Sequence, residues 1–141
     1  MLIVEDQSEP LEALEFAVKT VFPAYSTEFH YDTARCYEDA QRMIPNRYDI
    51  VLLDHRIPIR DVGNLEDTDF DSFTKSLRPV GYSLINEIKR QNPQTVVIGT
   101  SSISASELKQ HPTPDYVMSK MWNKSEIDLD NILRLMQDNE V

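Results

Sequence analysis

Cysteine is nearly absent from this 141-residue chain. The one present, Cys36, cannot close an internal disulfide, and no second Cys or His stands beside it at metal-ligand spacing. That excludes a disulfide-stapled secreted scaffold and points to a reducing, cytoplasmic setting. Also missing is any apolar run long enough to cross a bilayer, and the N-terminus lacks the basic stretch that opens a secretory signal. A soluble chain with no membrane partner is expected. Basic residues are few and scattered: 14 Lys and Arg stand against 24 Asp and Glu, for a formal net charge of -10. Such a charge opposes binding to a phosphate backbone, so no direct contact with nucleic acid is expected.

What is present has the balance of an ordinary globular protein, with 40% hydrophobic and 27% charged residues. The length suits a single domain over residues 1–141. Met1-Leu2-Ile3-Val4 is a continuous apolar run ending in two acids, as a strand buried on both faces of a parallel sheet would read. Ser8 stands as an N-cap ahead of helically spaced Leu11, Leu14, Phe16, Val18, Val21 and Phe22, until Pro23 stops the pattern. A short β-prone stretch over 27–31 and a helical pattern over 33–44 follow. Ile50-Val51-Leu52-Leu53 repeats the buried-strand signature and ends in Asp54. Residues 95–99 form a further strand ending in hydroxyls, and 116–118 a weaker one before Lys120. Helical patterns cover 82–91, 104–110 and 127–136. Alternation of this kind predicts a parallel sheet covered by helices.

One stretch breaks the rhythm. Residues 59–80 show no clean period, carry Asp61, Glu66, Asp67, Asp69 and Asp71, and are expected to form an acidic insertion or long loop after the third strand. Loops of about twenty residues are uncommon in compact domains and are usually functional or disordered.

In an open parallel α/β sheet, ligands bind beyond the carboxyl ends of the strands. The residues there are Glu5-Asp6, Asp54, Thr100-Ser101 and Lys120. Three carboxylates, a hydroxyl and an ammonium delivered to one edge suit phosphoryl transfer. Hard oxygen ligands hold Mg²⁺, and one carboxylate can serve as nucleophile.

The segments Leu2-Ile3-Val4-Glu5-Asp6, residues 48–58 ending in Asp54-His55-Arg56-Ile57-Pro58, Val96-Val97-Ile98-Gly99-Thr100-Ser101 and Lys120 together resemble the receiver domain of response regulators. The likeness covers almost the whole chain apart from residues 59–80. It implies a flavodoxin-like, doubly wound, parallel five-stranded sheet with helices on both faces. It also implies that Asp54 is the phospho-acceptor, and that Glu5, Asp6, Asp54 and the Arg56 backbone carbonyl hold Mg²⁺ (or Mn²⁺). Thr100 would bind a phosphoryl oxygen and Lys120 the acceptor carboxylate and then the phosphoryl group. The implied partners are a histidine kinase or phosphotransfer protein as donor and a downstream effector protein. The implied catalysis is limited to the chain's own phosphorylation and dephosphorylation.

Two departures stand out. Met121 follows Lys120 where the family usually has proline, so a trans, differently placed loop is expected. Val117 occupies the usual place of an aromatic switch residue, with Tyr116 one position earlier. His55 adjoins the acceptor, but its side chain should point away from it on an extended backbone. His30, His111 and Trp122 are expected to pack or lie at the surface. Two rivals remain open: a pseudo-receiver that only docks proteins, and a small α/β hydrolase or phosphatase. Against the second, Asp54-His55-Arg56 lacks the second aspartate of the haloacid-dehalogenase pattern.

Overall fold

The computed structural model describes residues 1–60, 77–101 and 104–139. Five strands make one parallel sheet: β1 (Leu2–Val4), β2 (Asp32–Ala34), β3 (Ile50–Leu53), β6 (Val96–Gly99) and β7 (Tyr116–Val117). Their order is β2-β1-β3-β6-β7. The reversal of order beside β1 is the switch point that opens a crevice at the carboxyl edge of such a sheet. Helices α1 (Ser8–Val21), α2 (Tyr37–Met43), α3 (Ile85–Gln91), α4 (Ala105–Leu108) and α5 (Ser125–Asn139) intervene along the chain or follow the last strand. No helix among the described residues is long and apolar enough to cross a membrane.

Alternation along the strands divides the core in two, because successive side chains face opposite sides of a sheet. Ile3, Ile50, Leu52 and Ile98 meet Leu11, Leu14 and Val18 of α1 and Leu129, Ile132 and Leu133 of α5. Leu2, Val4, Val51, Leu53 and Val97 face the other way, toward Ala40 of α2, Ile44, Leu84, and Ile85 and Ile88 of α3. Both faces are therefore covered, which explains why the strands read as unbroken apolar runs. Truncating one of these fully buried leucines, Leu52 for example, should cost about 2–5 kcal/mol.

Three local expectations need correction. The second strand lies at Asp32–Ala34 rather than over residues 27–31. The ladder explains the shift, since Leu2 pairs with Asp32 and Val4 with Ala34. Phe29 and Tyr31 instead stack in a row with Phe22 against the α1 side of the core. As a result the second helix cannot start at residue 33. It begins at Tyr37, where the Cys36 sulfur accepts the Asp39 amide as cap at 3.5 Å. In α1 the capping position belongs to Gln7, and Ser8 opens the helix itself.

Two short strands that the sequence pattern does not mark lie between β3 and α3. Arg56–Pro58 (β4) and Leu77–Pro79 (β5) pair antiparallel, Ile57 opposite Arg78. Residues 77–80, expected as part of a loop, thus include a strand. The base of this arm is tied down where the Glu38 amide donates to the Ile59 carbonyl at 3.0 Å and Arg60 meets Glu38 at 3.2 Å. The acids Asp61, Glu66, Asp67, Asp69 and Asp71 lie outside the described residues.

Candidate functional site

Parallel register brings the chemistry together. Val4 is level with Leu53, Leu53 with Gly99, and Gly99 with Val117. The next residue of each strand therefore emerges at the same edge, and the ladder runs one step further. The Asp54 amide donates to Val4 at 3.1 Å, and the Thr100 amide to Leu53 at 3.0 Å.

Glu5, Asp6 and Asp54 are buried, at 0%, 6% and 3% exposure. One carboxylate oxygen from each lies within 4.8 Å of the others. Like charges so close and so poorly hydrated resist ionisation together. Burial, reinforced by the Asp54 charge, pushes Glu5 up to about 9 and Asp6 up to about 7, despite the opposing pull of Lys120. Lys120 reaches across from the β7 side, its Nζ 3.1 Å from Glu5 Oε2 and 3.1 Å from Asp54 Oδ2. Burial acts to lower its pKa, but the two carboxylates outweigh that and hold it above the ordinary lysine value. It is a fixed ammonium between two acids.

Hydroxyl groups complete the surroundings. The Ser101 hydroxyl donates to Asp54 Oδ1, while the His55 amide donates to the same Ser101 oxygen at 2.6 Å. Thr100 is also buried, and its Oγ1 has no hydrogen-bond partner among the described residues. The sequence pattern favours Thr100 as the hydroxyl of the site, and the group that touches Asp54 here is Ser101. Its signal was its place in the same strand end, one residue further on.

A cleft of about 230 Å³ opens on this cluster, lined by Gln7, Asp54, Arg56, Leu77, Ser101 and Lys120. Leu77 comes from β5, so the arm forms part of the wall. The Arg56 guanidinium is held by Glu107 through contacts of 2.9 and 3.1 Å. Opposite, Arg35 donates to the Asp6 carbonyl at 2.8 Å and to Ser8 Oγ at 3.0 Å, fixing the turn that carries the two N-terminal acids. The Asp6 Oδ2 atom is buried without a hydrogen-bond partner among the described residues. An orphaned carboxylate oxygen beside two further carboxylates is a donor set that fits a hard divalent cation.

Other residues take the quieter places expected of them. His55 points into the core, with no exposed surface, and its ring lies 4.6 Å from those of Tyr82 and His111. Burial lowers its pKa, with the neighbouring His111 acting in the same direction. Trp122 leans on Phe16 with ring centroids 5.7 Å apart. Tyr116 packs against the α1 and α5 side of the core, whereas Val117 is exposed. No cis peptide occurs among the described residues, Lys120–Met121 included.

Comparison with known proteins adds the architecture. One similar structure is the signal receiver domain of a DNA binding response regulator protein (merR) from Colwellia psychrerythraea 34H. It superposes with a TM-score of 0.59 at 21% identity, covering 96% of either chain. Another is a two component transcriptional regulator AraC from Clostridium phytofermentans ISDg, with a TM-score of 0.58, 18% identity, and coverage of 99% of this chain and 97% of that one. This chain has the receiver-domain fold. The parallel five-stranded, doubly wound sheet expected from the sequence is the one observed. No protein-family model and no curated protein matches the sequence. The receiver fold is thus recognised here through three-dimensional shape, at identities too low to carry more than the fold.

Proposed function

We propose that this chain is a response-regulator receiver, a single domain over residues 1–141, that accepts a phosphoryl group on Asp54. The observation that supports it best is Lys120, whose ammonium bridges Glu5 and Asp54 at 3.1 Å inside a buried three-carboxylate cluster. One ammonium cannot match three buried carboxylates, so the cluster costs stability, and such a cost is typical of groups held for chemistry rather than for packing.

In the proposed step, an Asp54 carboxylate oxygen attacks the phosphorus of a phosphohistidine on a histidine kinase or phosphotransfer protein. The new P–O bond forms as the P–N bond breaks, and the electron pair leaves with the donor imidazole. Lys120 sits at the second Asp54 oxygen and is placed to meet charge on the incoming group. Ser101 orients the first oxygen, and Thr100 is the further hydroxyl at the strand end. Glu5, Asp6 and Asp54, with the Arg56 backbone carbonyl, are the residues proposed to hold Mg²⁺ or Mn²⁺. When bound, the cation neutralises charge on the transferring phosphoryl group and relieves the carboxylate repulsion. The chain turns over no external substrate in this scheme, and the phosphorylated state is read by an effector protein.

Intact mass after incubation with acetyl phosphate and Mg²⁺ tests the proposal. The wild-type protein should gain one phosphoryl group and Asp54→Asn none, although the substitution is nearly isosteric. Equal labelling of both proteins moves the acceptor elsewhere. No labelling of either, together with no metal-dependent binding of beryllofluoride, leaves a docking module without phosphotransfer.

A further inference from the structure

Neither the strand-end pattern nor the proposed chemistry gives His55 a task, yet it is among the most heavily bonded residues near the acceptor. Its amide donates to Ser101 Oγ at 2.6 Å, and that hydroxyl in turn donates to Asp54. Its carbonyl accepts from the Val80 amide at 3.1 Å and the Gly81 amide at 2.8 Å. Its ring Nδ1 accepts from the Tyr82 amide at 3.1 Å. Three successive amides, immediately after the arm's return strand, thus converge on one residue.

The tautomer follows from these bonds. A ring nitrogen that accepts an amide proton is unprotonated, so the neutral imidazole carries its proton on Nε2. Nε2 lies 3.7 Å from Glu107 Oε1 and has no hydrogen-bond partner among the described residues. A metal at Nε2 would displace that proton, so a metal-ligand role does not suit the ring. What the ring does is supply an acceptor, inside the core, for an amide that has no water to turn to.

From this geometry we infer that His55 is a positioning residue for Asp54: its imidazole fixes the turn at residues 80–82 against the acceptor backbone, and so holds the Asp54 carboxylate at Ser101 and Lys120. The inference rests on the phospho-acceptor function proposed above and extends it to a residue that touches no reacting atom. Gly81 is the mechanical link. A Cβ at that position would collide with the Asp54 carbonyl and lie 2.8 Å from His55 Cα, so the turn is in backbone contact with the acceptor. If the Tyr82 amide loses its acceptor, the turn must move to find another. Any such movement bears directly on the Asp54 peptide.

Two substitutions separate positioning from packing. His55→Leu fills the space but offers no acceptor, whereas His55→Asn can place an oxygen where Nδ1 now stands. Acetyl-phosphate labelling by intact mass, and Mg²⁺ affinity by calorimetry, are measured on the 141-residue chain well below each variant's melting temperature. His55→Leu should label roughly tenfold more slowly and bind Mg²⁺ several-fold more weakly, a modest loss for a displaced reacting group. His55→Asn should recover most of both. Wild-type rates in folded His55→Leu overturn the inference, as does a His55→Asn protein no better than His55→Leu. A wild type that binds Mg²⁺ but takes no phosphoryl group overturns the proposed function instead, and the Mg²⁺ affinities of the variants then decide the role of His55. If His55→Leu does not fold, the imidazole nitrogen shifts of the wild type decide. A bare Nδ1 with a protonated Nε2 supports the inference, and a protonated Nδ1 overturns it.

Discussion

Two groups of acids stand at opposite edges of the same parallel sheet. At the amino end, Asp32 opens β2 and Asp49 precedes β3; both are exposed, and Asp32 merely accepts the Tyr48 hydroxyl at 2.6 Å. At the carboxyl end, Glu5, Asp6 and Asp54 follow apolar strands just as closely but are buried, crowded within 4.8 Å and answered by one lysine. In one dimension Asp49 and Asp54 read alike, as acids flanking the same apolar run. The difference lies in what the topology places around them. At the carboxyl end, loops from separate βα units and the wall of the β4–β5 arm close over the acids. Water is replaced there by fixed groups, and that is where a carboxylate acquires unusual chemistry.

The harshest test of this contrast is removal of the lysine. Lys120→Met should slow acetyl-phosphate labelling on the order of a hundredfold, the scale of losing one preorganised charge partner. It should also destabilise the metal-free protein, by no more than about 3 kcal/mol because the lysine side chain keeps 28% exposure. Mg²⁺ affinity should move the other way, tightening as three acids lose their resident cation. Chemical denaturation and calorimetry check both signs, and weaker Mg²⁺ binding in this variant would show that the lysine does not compete with the cation site.

A pH titration of stability sharpens the comparison next. The folded-state values of Glu5, about 9, and Asp6, about 7, lie above their ordinary values of 4.5 and 3.8. The folded protein therefore binds more protons than the unfolded chain between those limits, and stability falls as pH rises. The loss contributed by Asp6 accumulates from its ordinary value up to about 7, and that from Glu5 continues to about 9. Melting of the metal-free protein should drop steadily between about pH 5 and about pH 8. Saturating Mg²⁺ should flatten the slope, because the cation replaces the protons. Asp6→Asn, which removes one of the two buried groups, should make the slope shallower below about pH 7. A slope that survives intact in Asp6→Asn would assign the effect to groups outside the carboxyl-end cluster.

The smallest effect is expected from the acids that lie in sequence between β4 and β5. Asp61, Glu66, Asp67, Asp69 and Asp71 are tethered between β4 and β5, and Leu77 of β5 lines the cleft. Converting the five to Asn or Gln should speed labelling by an anionic donor about twofold at low salt, with the gain fading near physiological ionic strength, where the screening length is about 8 Å. A gain independent of salt would point to a steric obstacle rather than to charge.

The alternation of strands and helices, and the placing of Glu5, Asp6, Asp54 and Lys120 at strand ends, are legible in the residues alone. So is the break in pattern after Pro58. Those features are local: a strand buried on both faces must be apolar throughout, and polar groups can emerge only where it stops. Tertiary structure decided what depends on a partner far along the chain. Pairing with β1 set the second strand at Asp32–Ala34, although residues 27–31 have the stronger β propensity, because a ladder is won by register as well as by residue type. Pairing of β4 with β5 made strands of residues 56–58 and 77–79, which show no strand pattern in the sequence. Between two adjacent hydroxyls, the backbone at the end of β6 turned Ser101 toward Asp54. The amide that meets His55 comes from Tyr82, 27 residues away, a relation no spacing rule contains because only folding brings that turn against the acceptor.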